Sequence, residues 1–223
     1  MTITRTASLL ALLLAALPAW AVEPFTAEYE ASWKGVQADA RMTLSPAGDN
    51  RWRYELNIAN QLGSARQATV FEDHDGRWRL LSGDDVTQLL VRKSQKTATY
   101  DWGSREVRWS GDVKADRRGP VELRDGDVDA MLLNLAIVRD VAAGRPLDYR
   151  VVENGVARRQ SWKILGKDTV TIAGKPHAAT RVGRSSDDKE VLVWVVKGLP
   201  VPARILQRRD GKDEQDLVLK SAH

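Results

Sequence analysis

Apolar and polar side chains alternate along most of this chain. In Phe25-Thr26-Ala27-Glu28-Tyr29-Glu30-Ala31-Ser32-Trp33-Lys34 the odd positions are apolar and the even ones mostly polar. A period of two places Phe25, Tyr29 and Trp33 on one face of a strand. Arg51-Trp52-Arg53-Tyr54-Glu55-Leu56-Asn57-Ile58 repeats the pattern, with Trp52, Tyr54, Leu56 and Ile58 inward. Arg77-Trp78-Arg79-Leu80 and Glu106-Val107-Arg108-Trp109 do the same. Turn residues punctuate these runs. Asp75-Gly76 predicts a hairpin between 68–72 and 77–81, and Asn154-Gly155 another between 149–152 and 156–164. Gly103-Ser104, Ala173-Gly174 and Asp210-Gly211 read as further turns. Short strands joined by regular hairpins predict an antiparallel meander.

One segment breaks the alternation. Residues 128–143 predict a helix, with Asp127 as N-cap, Asp129 in the positive field of the first turn, and Gly144 and Pro146 ending it. Val128, Met131, Leu132, Leu133, Leu135, Ile137, Val138 and Val141 cover most of its circumference. A helix apolar nearly all round is buried. In an otherwise all-β chain its large partner is the concave face of the sheet. The expected fold is therefore mainly β, a strongly curved antiparallel meander or open β-barrel wrapped around one buried helix. Val191-Leu192-Val193-Trp194-Val195-Val196 is apolar at every position, as in a strand covered on both faces.

The first twenty-one residues have a different character. Arg5 precedes an apolar run from Ala7 to Pro18, and Ala19-Trp20-Ala21 has the small-x-small form that signal peptidases cut. This predicts a secretory leader, residues 1–21, cleaved between Ala21 and Val22, and one β-rich domain over residues 22–223. The run is too short to span a bilayer, and no later segment comes near the required length. The expected location is the bacterial periplasm. The chain has no cysteine, so neither a lipid-bearing cysteine nor a disulfide is expected and stability must come from the core. Once Arg5 leaves with the leader, thirty-three basic residues face thirty acidic ones, interleaved as in Asp73-His74-Asp75-Gly76-Arg77. A nucleic-acid binder would show basic stripes without acidic neighbours, so no nucleic-acid partner is expected.

The last third carries the most distinctive text. Val191 to Ile205, with Lys197-Gly198-Leu199-Pro200-Val201-Pro202 at its centre, leads through Asp210-Gly211 to Leu217-Val218-Leu219. Thr169-Val170-Thr171-Ile172-Ala173-Gly174 precedes it, and Ala27-Glu28-Tyr29-Glu30-Ala31-Ser32-Trp33-Lys34-Gly35 forms a second block near the front. Together these blocks resemble a bacterial family of exported proteins known as domain of unknown function 3108. Pro202 departs from that family's pattern. The resemblance implies a β-rich single domain in the cell envelope and brings no catalytic residues with it. In architecture alone the expected fold is also similar to periplasmic lipoprotein carriers, open barrels in which a helical element covers an apolar cavity.

Candidate chemistry is sparse. Glu72-Asp73-His74-Asp75 lacks metal-ligand spacing and sits on a turn signal. No Gly-x-Ser-x-Gly elbow accompanies His177 or His223, and Asp84-Asp85 and Asp187-Asp188 are sequence neighbours that a strand would point apart. No phosphate loop or dinucleotide fingerprint is present, so no cofactor is expected. The aromatic set is the better lead, because tryptophan suits a lipid or glycan site as well as a large core. The expected lining of an apolar ligand site is Tyr29, Trp33, Trp52, Tyr54, Trp78, Trp109, Met131, Leu132 and Leu135. The reading is a non-enzymatic envelope protein that holds an acyl or lipoprotein-like ligand between sheet and helix. A protein-interaction module of the envelope is the alternative, and a glycan hydrolase with carboxylates from distant strands the third.

Overall fold

The computed structural model describes residues 22–223, so the expected leader lies outside the described residues. Strands β1 (Phe25–Trp33), β2 (Val36–Pro46), β3 (Arg51–Asn60), β4 (Gly63–His74), β5 (Arg77–Leu89), β6 (Arg92–Asp101), β7 (Glu106–Gly111) and β8 (Val121–Glu122) follow one another as antiparallel neighbours. Helix α1 (Ala130–Ala142) comes next, then a separate hairpin, β9 (Asp148–Glu153) and β10 (Val156–Ser161). The meander resumes with β11 (Lys163–Ile172), β12 (Lys175–Ser186), β13 (Lys189–Val196), β14 (Arg204–Arg209) and β15 (Lys212–Ala222). β15 pairs antiparallel with β1, so the two halves join into one sheet of thirteen strands whose free edges are β11 and β8. Among the described residues the fold is mainly β with one α-helix, as the alternation predicts, and the sheet is not closed.

Curvature is strong. β11 touches β15 although three strands separate them in the sheet, so the β11–β15 flank is rolled back on itself. This roll accounts for β13, where Leu192 to Val196 are all buried. The other flank curves around α1, which rests on β3, β4 and β9. Leu132, Ala136 and Ile137 are wholly buried there. Each large apolar side chain so placed contributes about 1.5–3 kcal/mol relative to an exposed one. Among the described residues no helix is long and apolar enough to cross a membrane.

The expected hairpins form at Asp75-Gly76 and Asn154-Gly155, where all four residues have positive φ. At Gly155 a Cβ would collide with the backbone of Arg117, so the position requires glycine on two counts. The second strand of that hairpin ends at Ser161 rather than Ile164. The amide of Trp162 donates to the carbonyl of Leu147 (2.8 Å), and the chain then enters the large sheet at Lys163.

The helix start also differs from expectation. Val128 forms a parallel bridge to Val151, with its amide on Arg150 O (3.1 Å) and its carbonyl accepting from Val152 N (2.8 Å). A residue held in extended pairing cannot begin a helix, so α1 starts two residues later than the pattern suggests. Asp129 is the N-cap, accepting from Leu132 N at 2.7 Å. Asp127 is instead buried in the approach, accepting from Arg124 N (2.8 Å) and pairing with Arg150. At the far end α1 stops at Ala142, and Gly144 adopts φ +64° as a helix-ending glycine does.

Candidate functional site

Two hollows flank α1. One opens where the start of β1 meets the end of β15, with Thr26 and His223 exchanging backbone hydrogen bonds of 2.8 and 2.9 Å. Phe25 and Leu44, directly paired across β1 and β2, form one wall. Trp78 of β5 and Leu135 of α1 form the floor, and Leu199-Pro200, in the loop between β13 and β14, the opposite lip. The groove encloses about 600 Å³. That lies within the usual range of small-molecule sites, about 300–1,000 Å³.

Trp78 packs against Phe71 and Arg139. Its ring centroid lies 5.6 Å from that of Phe71 and 4.1 Å from the Arg139 guanidinium. Arg139 also donates to Gly76 O (3.1 Å) and to Asp140 (2.9 Å), which Arg145 reaches as well (2.5 Å). The last turn of α1 is thus fastened to the β4–β5 hairpin, and the groove floor is fixed.

The second hollow lies at the helix N-terminus, one turn above Leu135. Thr69, Asp85, Lys96, Trp109, Met131 and Glu153 are among its lining residues, and it encloses only about 80 Å³. Asp129 accepts from the Thr69 hydroxyl (2.5 Å) as well as capping the helix. Burial pushes its carboxyl above the ordinary aspartate range, against the lowering effect of those hydrogen bonds. Glu153 is raised too, first by desolvation on its cleft side and then by Asp129, although more than a third of the residue is open to solvent. The cleft, at about 80 Å³, is much smaller than the groove at about 600 Å³. The polar chemistry here serves the helix start.

The nine expected lining residues separate accordingly. Trp78 and Leu135 line the apolar groove, while Trp109 and Met131 line the polar cleft. Tyr29, Tyr54 and Leu132 are core residues. The Tyr29 hydroxyl donates to Pro202 O (2.7 Å), that of Tyr54 contacts Met42 Sδ (3.2 Å), and burial raises both phenols. Trp52 is half-buried beside Phe71 on the neighbouring strand. Trp33 has the inward parity of β1 but stands at its last residue and is 51% exposed. It belongs to the rim. Phe25, Leu44, Leu199 and Pro200 were not expected at the site. Phe25 carries the right alternation, while Leu199-Pro200 reaches the groove only through the long return from β13.

No family model and no curated protein matches the chain. Among solved structures it is similar to a beta-barrel-like protein of domain of unknown function 1849 from Brucella abortus. That likeness has 8% identity and a TM-score of 0.54, and covers 90% of this chain and 97% of the other. A weaker likeness is to the Pseudomonas aeruginosa MucA/MucB complex, with 14% identity, a TM-score of 0.41, and 90% of this chain against 51% of that one. The class so defined is one of fold, a β-barrel-like protein.

Proposed function

We propose that this is a non-catalytic protein of the bacterial cell envelope, exported to the periplasm, and a member of the family known as domain of unknown function 3108. Its ligand is a single apolar chain of acyl type, free or on a lipid or lipoprotein, held between the curved sheet and α1. The carrying observation is the groove of about 600 Å³, with Phe25, Leu44, Trp78, Leu135 and Leu199 on its apolar side and the exposed Glu23 and His223 also on its lining. The rigid clamp on Trp78 supports the reading, because a pre-formed floor spares a ligand the cost of ordering it. The leader pattern supports export, and the text around residues 191–219 supports the family.

Quenching of tryptophan fluorescence by a dibrominated stearate tests this. Saturable quenching is expected, with the quenched component lost in Trp78→Phe. Leu199→Arg, at the half-buried lip, should weaken binding by at least tenfold, since it places a charge against an apolar chain. Quenching that does not saturate, or that survives unchanged in both variants, overturns the proposal.

A further inference from the structure

The opposite end of the curved sheet carries an apolar tip that folding does not explain. The β3–β4 and β5–β6 hairpins end side by side, with the amide of Leu90 donating to Leu62 O at 3.3 Å. Gly63 allows this approach, since a Cβ there would collide with Gln88 O. Leu62 is 56%, Leu90 75% and Val91 100% exposed. Leu90 also adopts φ +49°, in the left-handed region. The other non-glycine residues at positive φ are Lys34, Asn50, Asp75, Arg105, Asn154, Ala173, Asp187 and Asp210, all polar or small. Asparagine, aspartate or glycine would make this turn with less strain and no exposed apolar surface. A position that violates both turn chemistry and burial is one where function overrides folding.

The tip is predominantly basic, its near acidic neighbour being Asp112, which accepts from Gln95 N at 2.9 Å. Residues 60–66 and 87–96 contain Arg66, Arg92, Lys93 and Lys96 and no acidic residue. Arg66 and Lys96 reach Glu55 and Asp85, whereas Arg92 and Lys93 are exposed and enter no ion pair among the described residues. Leu89, Leu90 and Val91 thus project just ahead of two uncompensated cations.

We propose that this two-hairpin rim docks on the surface of a bilayer containing anionic lipid. Leu90 and Val91 enter the boundary between headgroups and acyl chains, and Arg92 and Lys93 meet headgroup phosphates. A few apolar side chains on a protruding tip suit shallow insertion, and the unpaired cations suit the negative surface potential. The inference uses none of the groove residues, so it stands or falls independently of the ligand reading.

Vesicle flotation of residues 22–223, which carry the whole described fold, tests it. Partition onto phosphatidylcholine vesicles containing one-third phosphatidylglycerol should exceed that onto phosphatidylcholine alone by at least tenfold, and should fall at high salt. The double variant Leu90→Asn/Val91→Ser should lose at least tenfold in partition. Its unfolding midpoint should be unchanged or raised, because asparagine accepts positive φ, and this separates lost docking from a damaged fold. Arg92→Gln/Lys93→Gln should lose about 25-fold, about fivefold per charge, and most of the salt dependence. Failure of the parent protein to bind anionic vesicles overturns the proposal. So does equal partition of the variants, or capture of a protein through Leu90 and Val91 without vesicle binding.

Discussion

Replacing Arg139 by alanine removes three contacts at one point of the fold. Its side chain is 15% exposed and pairs with Asp140, whose side chain is 7% exposed. It also donates to the Gly76 carbonyl and covers the face of Trp78. Leaving a buried charge without its partner costs about 3–5 kcal/mol. A cation–π contact adds about 0.5–2 and a charged hydrogen bond about 1.5–3. These are not additive, because one guanidinium makes all three. Arg145 remains beside Asp140, but it is half exposed and compensates only in part. The expected loss is therefore about 3 kcal/mol, at the lower end of the range for a broken buried pair. With a urea dependence of about 2 kcal/mol/M, the unfolding midpoint should drop by about 1.5 M. Arg139→Lys keeps the charge but not the fork that spans Gly76 and Asp140, and should lose about 1–2 kcal/mol. The assay is urea unfolding followed by tryptophan fluorescence and by circular dichroism. A midpoint shift below about 0.3 M for the alanine variant, at unchanged slope, would refute the claim that this residue fastens helix to hairpin.

Two further substitutions read other parts of the structure. Tyr29→Phe leaves the Pro202 carbonyl without its donor in the core and should lose about 1–2 kcal/mol by thermal or urea unfolding. Binding of a brominated fatty acid should be unaffected, and a weakened affinity would place Tyr29 at the ligand after all. Asp129→Asn keeps an N-cap acceptor and removes a charge that burial disfavours. The folded state holds the Asp129 proton more tightly than the unfolded chain does. Its contribution to stability is thus fully present below the ordinary aspartate value of about 3.9 and is lost as pH rises through the raised folded value. The stability gained by Asp129→Asn should accordingly be larger at pH 7 than at pH 4, and unfolding midpoints showing the opposite trend would contradict the assignment.

Much of the architecture is legible because the alternation is strict where one face is buried. β1 buries Phe25 and Tyr29, β3 buries Tyr54 and Leu56, and Asp75-Gly76 and Asn154-Gly155 announce their turns through the positive φ they require. Helix α1 is legible for a complementary reason, since only a buried helix tolerates apolar residues all round. What was not legible depends on contacts between distant segments. Asp127 has a cap's chemistry and loses the role because Val128 is drawn into pairing with β9, twenty-three residues later in the sequence. Trp33 has the parity of an inward residue, but parity does not say that a residue at the end of its strand stays covered. The groove is harder still. Leu135 is one of many apolar residues on α1, and only the loop at Leu199-Pro200 and the meeting of β1 with the end of β15 leave it facing a hollow. The pairing of Arg139 with Trp78 and Asp140 did leave a trace, since the two charges within a largely apolar helix must find partners.

The most direct measurement is native mass spectrometry, with lipid extraction, of the protein purified without detergent from the periplasm of an expressing bacterium. A mass excess of one acyl-bearing molecule per chain, absent from Leu199→Arg, is the expected result. A bare polypeptide mass that stays bare after incubation with fatty acid and phospholipid would contradict the assignment of the groove as an acyl site.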